Sequence, residues 1–155
     1  PDLSVHLVCG GGTGKELMYM LTREGYQVTA GVLSPMDDDY REAKRLGIEV
    51  SWNDPFLPIR DETLEYNKKL INNSDFLILT DMPIGRGNLK NLELTVQASE
   101  DKPVLLIEES PIEERDFTEG DAKDLYSSLE ERCVGKVTSL SEVIPFLREY
   151  DFQER

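Results

Sequence analysis

Cysteine is scarce in this sequence, basic residues are few relative to acidic ones, and each of these features excludes a class of protein. The 155 residues contain only two cysteines, Cys9 and Cys133, which are too few for a fold held together by disulfides and are typical of a reducing compartment. Lysine and arginine number 17 against 31 aspartates and glutamates, so the formal net charge is −14. Surfaces that bind nucleic acid or anionic lipid need clustered basic residues. We therefore expect neither partner.

Long apolar runs are also missing. No stretch approaches the roughly eighteen apolar residues of a membrane-spanning helix, and no basic segment followed by an apolar one marks an export signal. These absences predict a cytoplasmic protein with no direct membrane insertion. The sequence begins at Pro1, without Met, directly in a strand-like run. We interpret residues 1–155 as a single domain and expect it to be a fragment of a longer chain.

Apolar runs alternate with amphipathic segments along the whole sequence. Runs typical of strands cover residues 3–9, 26–33, 48–52, 75–80, 103–107 and 135–138. Helices are predicted for residues 15–24, 37–46, 61–72, a segment after residue 87, 122–132 and 141–150. Leu64, Leu70 and Ile71 form an apolar stripe in residues 61–72, acidic and basic residues lie at the two ends of residues 37–46, and Ser139 or Ser141 is expected to cap the last helix. Strands that are apolar throughout are typical of a parallel sheet with both faces covered. The sequence therefore predicts an α/β fold, a Rossmann-like doubly wound parallel sheet of about six strands with helices on both faces.

A glycine-rich loop follows the first predicted strand. Its residues are Gly10, Gly11, Gly12, Thr13 and Gly14, followed by Lys15. At the carboxyl end of a parallel strand, backbone amides and a helix N-terminus can bind an anion, and glycines let the main chain approach it. A Walker loop would need a glycine at Cys9 and a hydroxyl at Glu16, so ATP hydrolysis is not expected here. Two interpretations stay open, an anion-binding loop and a turn that only packs strand against helix.

A second loop of the same kind follows the fourth predicted strand and contains Pro83, Gly85, Arg86, Gly87 and Asn88. In a sheet whose order reverses between strands one and four, the loops after these strands flank one crevice. We therefore predict that the two loops face each other. Arg86 would clamp a phosphate, and Asn88 would cap the next helix or bind a ribose. The alternative is that Arg86 is solvated and Glu93 lies on an outer helical turn.

Other candidates are weaker. Asp37 lies just beyond the second strand, near the position of the acid that binds a ribose hydroxyl in Rossmann folds, and is equally suited to cap a helix. His6 has no metal-spaced partner, so a packed or surface histidine is expected rather than a metal ligand. Both cysteines are interpreted as buried thiols. Trp52 and Phe56 would form either an apolar wall of the crevice or part of the core.

Both loops belong to a longer run of motifs that resembles a known domain. VHLVCGGGTGKELMYMLTREGYQVTAGVL, DDDYREAKRLGIEV, NDPFLPI and DMPIGRGNLKNLE are similar to the C-terminal accessory domain of some archaeal ABC-transporter ATP-binding subunits, of the cobalamin or iron-chelate uptake type. The resemblance covers roughly residues 4–107. It implies a regulatory domain at the inner face of the membrane. Such a domain would sense a ligand or pair two ATPase subunits as a homodimer, and would reach the permease through the parent chain.

A weaker resemblance is to the lysine-decarboxylase-like nucleotide phosphoribohydrolases, whose second loop reads PGGxGTxxE. The proline and two glycines of that loop are present, whereas Ile84 replaces a glycine, Asn88 replaces the threonine, and Glu93 falls later than the family's glutamate. This resemblance implies an enzyme in which Arg86 orients a phosphate and Glu93 is the acid.

Three hypotheses result. The leading one is a non-catalytic ligand-binding or regulatory domain that binds a nucleotide-like or other anionic small molecule at the two glycine loops. The first alternative is the phosphoribohydrolase-like enzyme. The second is an oligomerisation module whose loops are empty. The sequence identifies no cofactor and no metal site.

Overall fold

The computed structural model describes residues 2–80, 86–109 and 121–153, without the side chains of residues 86–88. Within them, the strands are Ser4–Val8 (β1), Gln27–Leu33 (β2), Glu49–Trp52 (β3), Phe76–Leu79 (β4), Val104–Ile107 (β5) and Gly135–Val137 (β6). The helices are Lys15–Arg23 (α1), Asp38–Leu46 (α2), Asp61–Asn72 (α3), Arg86–Ala98 (α4), Ala122–Arg132 (α5) and Val143–Gln153 (α6), and a short 3-10 helix covers Leu140–Glu142.

All neighbouring strands are parallel, and their order is β3-β2-β1-β4-β5-β6. Val5 of β1 lies opposite Val28 of β2 on one side and Phe76 of β4 on the other. The predicted Rossmann-like sheet is thereby confirmed. The chain reverses its direction of travel across the sheet between β1 and β4, which makes this pair the switch point.

The first face of the sheet is covered by α1, α2 and α6 and is apolar. Val5 and Leu7 of β1 are fully buried there against Leu17, Met18 and Leu21 of α1 and Leu147 of α6, in one continuous cluster. The ring of Phe76 meets that of Tyr150 edge to face, with centroids 5.0 Å apart. Burial of large side chains of this kind stabilises the fold by about 1.5 to 3 kcal/mol each.

The second face, covered by α3, α4 and α5, is apolar beneath α5 but polar between β2, β3 and the helices α3 and α4. The Ser51 hydroxyl donates to Asn67 Oδ1 at 2.7 Å, and the Asn91 amide donates to the carbonyl oxygen of Gly31 at 2.8 Å. Asn67 and Asn91 are themselves 3.5 Å apart, between Nδ2 and Oδ1. We call these four residues, Gly31, Ser51, Asn67 and Asn91, the polar network.

The polar network corrects the apolar stripe expected for α3. Leu70 and Ile71 are buried as expected, whereas Leu64 is only half-buried. Asn67 takes an inward position with no solvent exposure. Helical spacing showed which side of α3 faces the sheet, but it could not show that this side is partly polar, because the partners come from β3 and α4.

His6 of β1 lies on the same second face and is completely buried. Its Nδ1 is 2.7 Å from the Thr29 hydroxyl, and its Nε2 has no hydrogen-bond partner among the described residues. Burial lowers the pKa of His6 from 6.5 to about 3, so the ring is neutral near pH 7. Of the two expected placements, packed and surface, the structure has the packed one.

Two helix starts differ from expectation. The last helix was predicted to cover residues 141–150 with Ser139 or Ser141 as its N-cap. Ser139 is the cap, but it begins a 3-10 turn, and α6 begins only at Val143. The Glu142 carboxylate accepts from the amides of Thr138 and Ser139 at 2.9 Å, so the capping box fixes the start at Ser139. Helix α4 begins at Arg86, earlier than the expected start after Gly87.

Candidate functional site

The glycine loop, residues 10–14, connects β1 to α1 at the carboxyl edge of the sheet. It turns through Gly11 and Gly12, whose φ angles are 66° and 84°. The amide of Gly11 donates to Asp37 Oδ2 at 2.6 Å, and that of Gly12 donates to Asp37 Oδ1 at 3.1 Å. Oδ1 also accepts from the Asp39 amide at 3.0 Å, which makes Asp37 the N-cap of α2. A carboxylate of the protein therefore bonds the amides that were predicted to bind an anionic ligand.

A second carboxylate closes the other end of the loop. Asp39 has no solvent exposure, and its two oxygens accept from the Gly14 amide at 3.0 and 3.1 Å. Burial raises the pKa of Asp39, and the hydrogen bond from Gly14 opposes that rise. We call the glycine loop together with Asp37 and Asp39 the loop–carboxylate cluster.

The Cys9 thiol lies under this cluster. It is completely buried, and burial raises its pKa well above the ordinary value, with the Asp39 carboxylate adding to the rise. A thiol in that environment stays protonated near neutral pH and is a poor nucleophile. The expectation of a buried thiol holds for Cys9, whereas Cys133 is partly exposed.

Gly14 is required at its position by close packing. A Cβ atom there would lie 2.5 Å from Cys9 Sγ and 3.2 Å from Asp39 Oδ2. At Gly12, by contrast, a Cβ atom would meet nothing within 4 Å. One glycine therefore lets the buried acid reach the backbone, and the other leaves open space above the loop.

Thr13 links the glycine loop to β4. Its hydroxyl is 2.8 Å from both the Gly10 carbonyl oxygen and the Thr80 hydroxyl. Thr80 directly follows β4, and its amide donates to the Val8 carbonyl oxygen at 3.0 Å. The two ends that flank the switch point are thus joined by a side-chain hydrogen bond. Thr80 was missed from sequence, although a hydroxyl residue that ends an apolar strand was the available signal.

Lys15, the first residue of α1, was predicted to help bind an anion. Its Nζ lies 3.9 Å from the carboxylate of Asp38, and both side chains are about half exposed. Asp38 is also paired with Arg41 at 2.6 Å. Solvent screens exposed ion pairs of this kind, so the attraction fixes the positions of the two side chains only weakly. The lysine is therefore already directed towards an acid of α2.

The second loop can be followed only in part. Pro83 and Gly85 lie outside the described residues, and Arg86, Gly87 and Asn88 are described only as the first residues of α4. The carboxylate of Glu93 pairs with Lys90 at 3.2 Å, and its side chain is 36% exposed. We predicted that the two loops face each other. The described residues show this arrangement only as far as the contact between Thr13 and Thr80.

An exposed apolar surface lies at the same edge, at the end of β3 and on the loops after β2 and β3. Trp52 is 41% exposed and Phe56 is 82% exposed, so neither belongs to the core, which was one of the two expected roles. Met36 and Leu57 are also exposed, and the Arg60 guanidinium lies 5.1 Å from the centre of the Trp52 ring. Aromatic surface is therefore exposed at this edge, where Trp52 lies opposite Leu33 at the end of β2.

The opposite, amino edge of the sheet carries a groove of about 420 Å³ between the starts of β1, β2 and β3. Ser4, Thr29, Gly47 and Glu49 are among the residues that line it. Gly47 ends α2 with a φ of 73°, and a Cβ atom there would also meet nothing within 4 Å. Within the described part of the chain, this groove is one competing location for a ligand.

The strand order and the glycine loop at the switch point define a Rossmann-type α/β domain. The model of the MJ0874 family matches residues 28–144, more than half of the chain, and the chain belongs to that family. An uncharacterized protein of Methanocaldococcus jannaschii, MJ0874, is 33% identical over 81 residues, which are 52% of this chain and 87% of that relative. No solved structure matches the chain.

The family result corrects the resemblance to the accessory domain of ABC-transporter ATP-binding subunits, which is wrong. The family found is a different, uncharacterized one, and it carries no link to iron or cobalamin uptake. The misleading motifs are strand–glycine–helix connections, which any Rossmann-like sheet needs for the same steric reasons. Among the residues that the structure describes, no helix is long and apolar enough to cross a membrane.

Proposed function

We propose that this chain is a non-catalytic ligand-binding domain of regulatory type, which binds a small nucleotide-like molecule between the glycine loop and the end of β4. The observation that carries the proposal is the 2.8 Å contact between the Thr13 and Thr80 hydroxyls, because it brings the glycine loop to the switch point of a Rossmann sheet. Ligands of open α/β sheets bind at this crevice, outside the carboxyl ends of the strands.

The chemistry around the crevice supports binding without turnover. The Cys9 thiol is buried and its pKa is raised, so it supplies no thiolate. Asp39 is hydrogen-bonded to the backbone and has no exposed surface from which to accept a substrate proton. Glu93, the acid required by the phosphoribohydrolase alternative, is held in an ion pair with Lys90.

The exposed aromatic side chains support a ligand with a planar ring. Trp52 ends β3 and Phe56 follows it, at the same edge of the sheet as the glycine loop. Aromatic faces stack on the rings of nucleobases, and such contacts contribute about 1 to 3 kcal/mol per base in nucleic-acid binders. We therefore propose that the side chains of Trp52 and Phe56 form a wall of the crevice.

The test is a thermal-shift and calorimetric screen of the protein against nucleosides, nucleotides, dinucleotides and inorganic phosphate. A ligand present at a hundred times its dissociation constant should stabilise the fold by about 2.7 kcal/mol. A saturable shift with one of these classes is the expected result. No shift with any of them would overturn the proposal and favour the oligomerisation module.

Two glycine variants then locate the site. Gly12→Ala and Gly47→Ala each place a Cβ atom in open space at a positive φ, one at the carboxyl edge and one at the amino edge. Each should cost about 1 kcal/mol of stability because of the left-handed backbone. Only Gly12→Ala should weaken ligand binding. Loss of binding in Gly47→Ala alone would place the ligand in the groove at the amino edge instead.

A cytoplasmic location and a homodimer complete the proposal. The location is supported by the pair of free cysteines, one of them fully buried. The homodimer is supported by exposed apolar side chains, among which Phe56 and Phe152 are more than 80% exposed. Sedimentation velocity at several protein concentrations tests the assembly, and a monomer throughout would remove the homodimer from the proposal.

A further inference from the structure

We infer that Asp37 and Asp39 are specificity-determining residues, which exclude phosphate from the glycine loop, so that the ligand of the crevice is a nucleoside-type molecule with no phosphate over that loop. This inference rests on the proposed function and names the ligand class of the same site.

The first argument is that the donors are occupied. In a phosphate-binding loop of a Rossmann sheet, the amides after β1 point at the ligand's anion. Here the amides of Gly11 and Gly12 donate to Asp37, at 2.6 and 3.1 Å, and the amide of Gly14 donates to Asp39, at 3.0 Å. The amides thus donate charge-assisted hydrogen bonds to two carboxylates of the same chain, which a free anion would have to replace.

The second argument is that displacement of Asp37 would undo a helix cap. The same carboxylate oxygen that accepts from Gly12 also accepts from the Asp39 amide at 3.0 Å and begins α2. A phosphate that took the Gly11 and Gly12 amides would therefore leave the first turn of α2 without its N-cap. Displacement of Asp39 would in addition require a fully buried carboxylate to leave its site.

The third argument is charge. Three consecutive acids, Asp37, Asp38 and Asp39, lie beside the loop, and the ammonium group of Lys15 is directed at Asp38. A dianionic phosphate would enter a region whose fixed charges are already negative, in a protein of net charge −14. Neutral ribose hydroxyls carry no such repulsion and can still bond with polar groups at the edge.

The inference is tested with isotope-labelled protein and inorganic phosphate as the probe. In wild-type protein the amide NMR signals of Gly11 and Gly12 should stay unshifted up to tens of millimolar phosphate. In Asp37→Asn the side chain still caps α2 but carries no charge, and these signals should shift, with an affinity for phosphate at least about tenfold higher. Asp37→Ser, which also keeps a capping oxygen, serves as the second variant if the first does not fold.

The matched control is Asp38→Asn. It removes the same charge one residue away, from a half-exposed side chain that pairs with Arg41 and Lys15. The amides of Gly11, Gly12 and Gly14 bond with Asp37 and Asp39 instead. Its phosphate affinity should remain within about twofold of wild type, as expected for an exposed and screened charge. An equal gain in both variants would show that only net charge matters, and would overturn the role of Asp37.

A pair of ligands separates this inference from the proposed function. Adenosine should bind wild-type protein at least as tightly as its 5′-monophosphate, and Asp37→Asn should reverse that order. If the monophosphate binds wild type more tightly and shifts the Gly11 and Gly12 signals, the inference is overturned while the proposed binding function stands. If neither compound nor any other of the screened classes binds, the proposed function fails, and the inference fails with it.

Discussion

The loop–carboxylate cluster lies at the rim of the sheet and is partly exposed, whereas the polar network is buried on the second face, and the two polar regions are built differently. In the cluster, carboxylates accept from backbone amides at the rim of the sheet, as Asp39 does from Gly14. In the network, neutral side chains bond with one another in the middle of the second face, as Ser51 does with Asn67. Both depend on a glycine, Gly14 or Gly31, whose missing Cβ makes room for the partner.

Because of this difference, a ligand can influence the loop–carboxylate cluster but not the polar network. The cluster lies next to open space above Gly12, so a change of charge there alters which molecule can approach. The network is enclosed between sheet and helices, where an unpaired polar group costs about 1 to 3 kcal/mol because no water replaces the lost partner. We therefore expect changes in the network and at His6 to affect stability first, and changes in the cluster to affect specificity first.

The largest effect is expected for Gly31→Ala. The new Cβ atom would lie 1.8 Å from Ser51 Oγ and 2.5 Å from Asn67 Oδ1, so the polar network has to open. We expect a loss of about 3 to 4 kcal/mol in the free energy of unfolding, because overpacking and broken buried hydrogen bonds act together. Chemical denaturation followed by circular dichroism measures it.

Gly47→Ala is the control for that substitution, since its Cβ atom meets open space and only the positive φ is strained. It should cost about 1 kcal/mol. A Gly31→Ala protein as stable as Gly47→Ala would mean that the network gives way at little cost, and that the two regions do not differ in rigidity.

Much of the fold followed from the sequence because its signals are local. Apolar runs identified all six strands, and acidic and basic residues at the two ends of residues 37–46 identified α2. The polar network did not follow, because Ser51, Asn67 and Asn91 come from three elements that are far apart in sequence. Each of these residues alone is compatible with a surface position.

A second, intermediate effect is the pH dependence of stability that arises from His6. Its pKa is about 3 in the folded protein and 6.5 in the reference state, so the unfolded chain takes up a proton that the folded chain refuses. This contribution is fully present above about pH 6.5 and is lost as the pH falls towards 3. Between about pH 7.5 and pH 5 the loss should be about 2 kcal/mol, from about 1.4 kcal/mol for each pH unit below the unfolded pKa.

His6→Gln removes the titrating group and keeps a polar side chain that can bond Thr29. Equilibrium denaturation of both proteins across that pH range measures the difference between their slopes. If the slopes agree, His6 is not protected from protonation, and the second face is more open to water than its burial indicates.

A smaller effect of opposite sign is expected from Asp39. Burial raises its pKa above 3.8, so the folded protein holds its proton more tightly than the unfolded chain does. Its contribution to stability therefore decreases as the pH rises from about 4 through the folded pKa. Asp39→Asn lacks this decrease, and its stability should rise more steeply with pH than that of wild type over this interval. A slope equal to that of wild type, measured by the same denaturation series, would contradict the assignment of Asp39 as the buried acid.

The position of the glycine loop could be predicted from the sequence, but the groups that bond its amides could not. Glycines after an apolar strand located the loop, and Asp37 was expected either to bind a ribose or to cap a helix. Its third role, as acceptor for the Gly11 and Gly12 amides, depends on how β2 and α2 are placed beside β1. That placement is a property of the folded sheet, and spacing along the chain contains no sign of it.

The smallest effect is expected for Glu93→Gln, and it tests whether the edge of the sheet contains a catalytic acid. Glu93 and Lys90 form an exposed pair three residues apart on α4, and such pairs stabilise a helix by about 0.5 kcal/mol or less. Replacement of the acid by its amide should leave both the stability and the affinity for a nucleoside close to wild type.

Lys90→Gln breaks the same ion pair from its other side and should give the same result. If Glu93→Gln alone weakened binding, or abolished release of a base from a nucleoside monophosphate, the carboxylate would be acting on the ligand rather than on Lys90. The difference between the two variants would then place a reacting group in the crevice and revive the phosphoribohydrolase alternative.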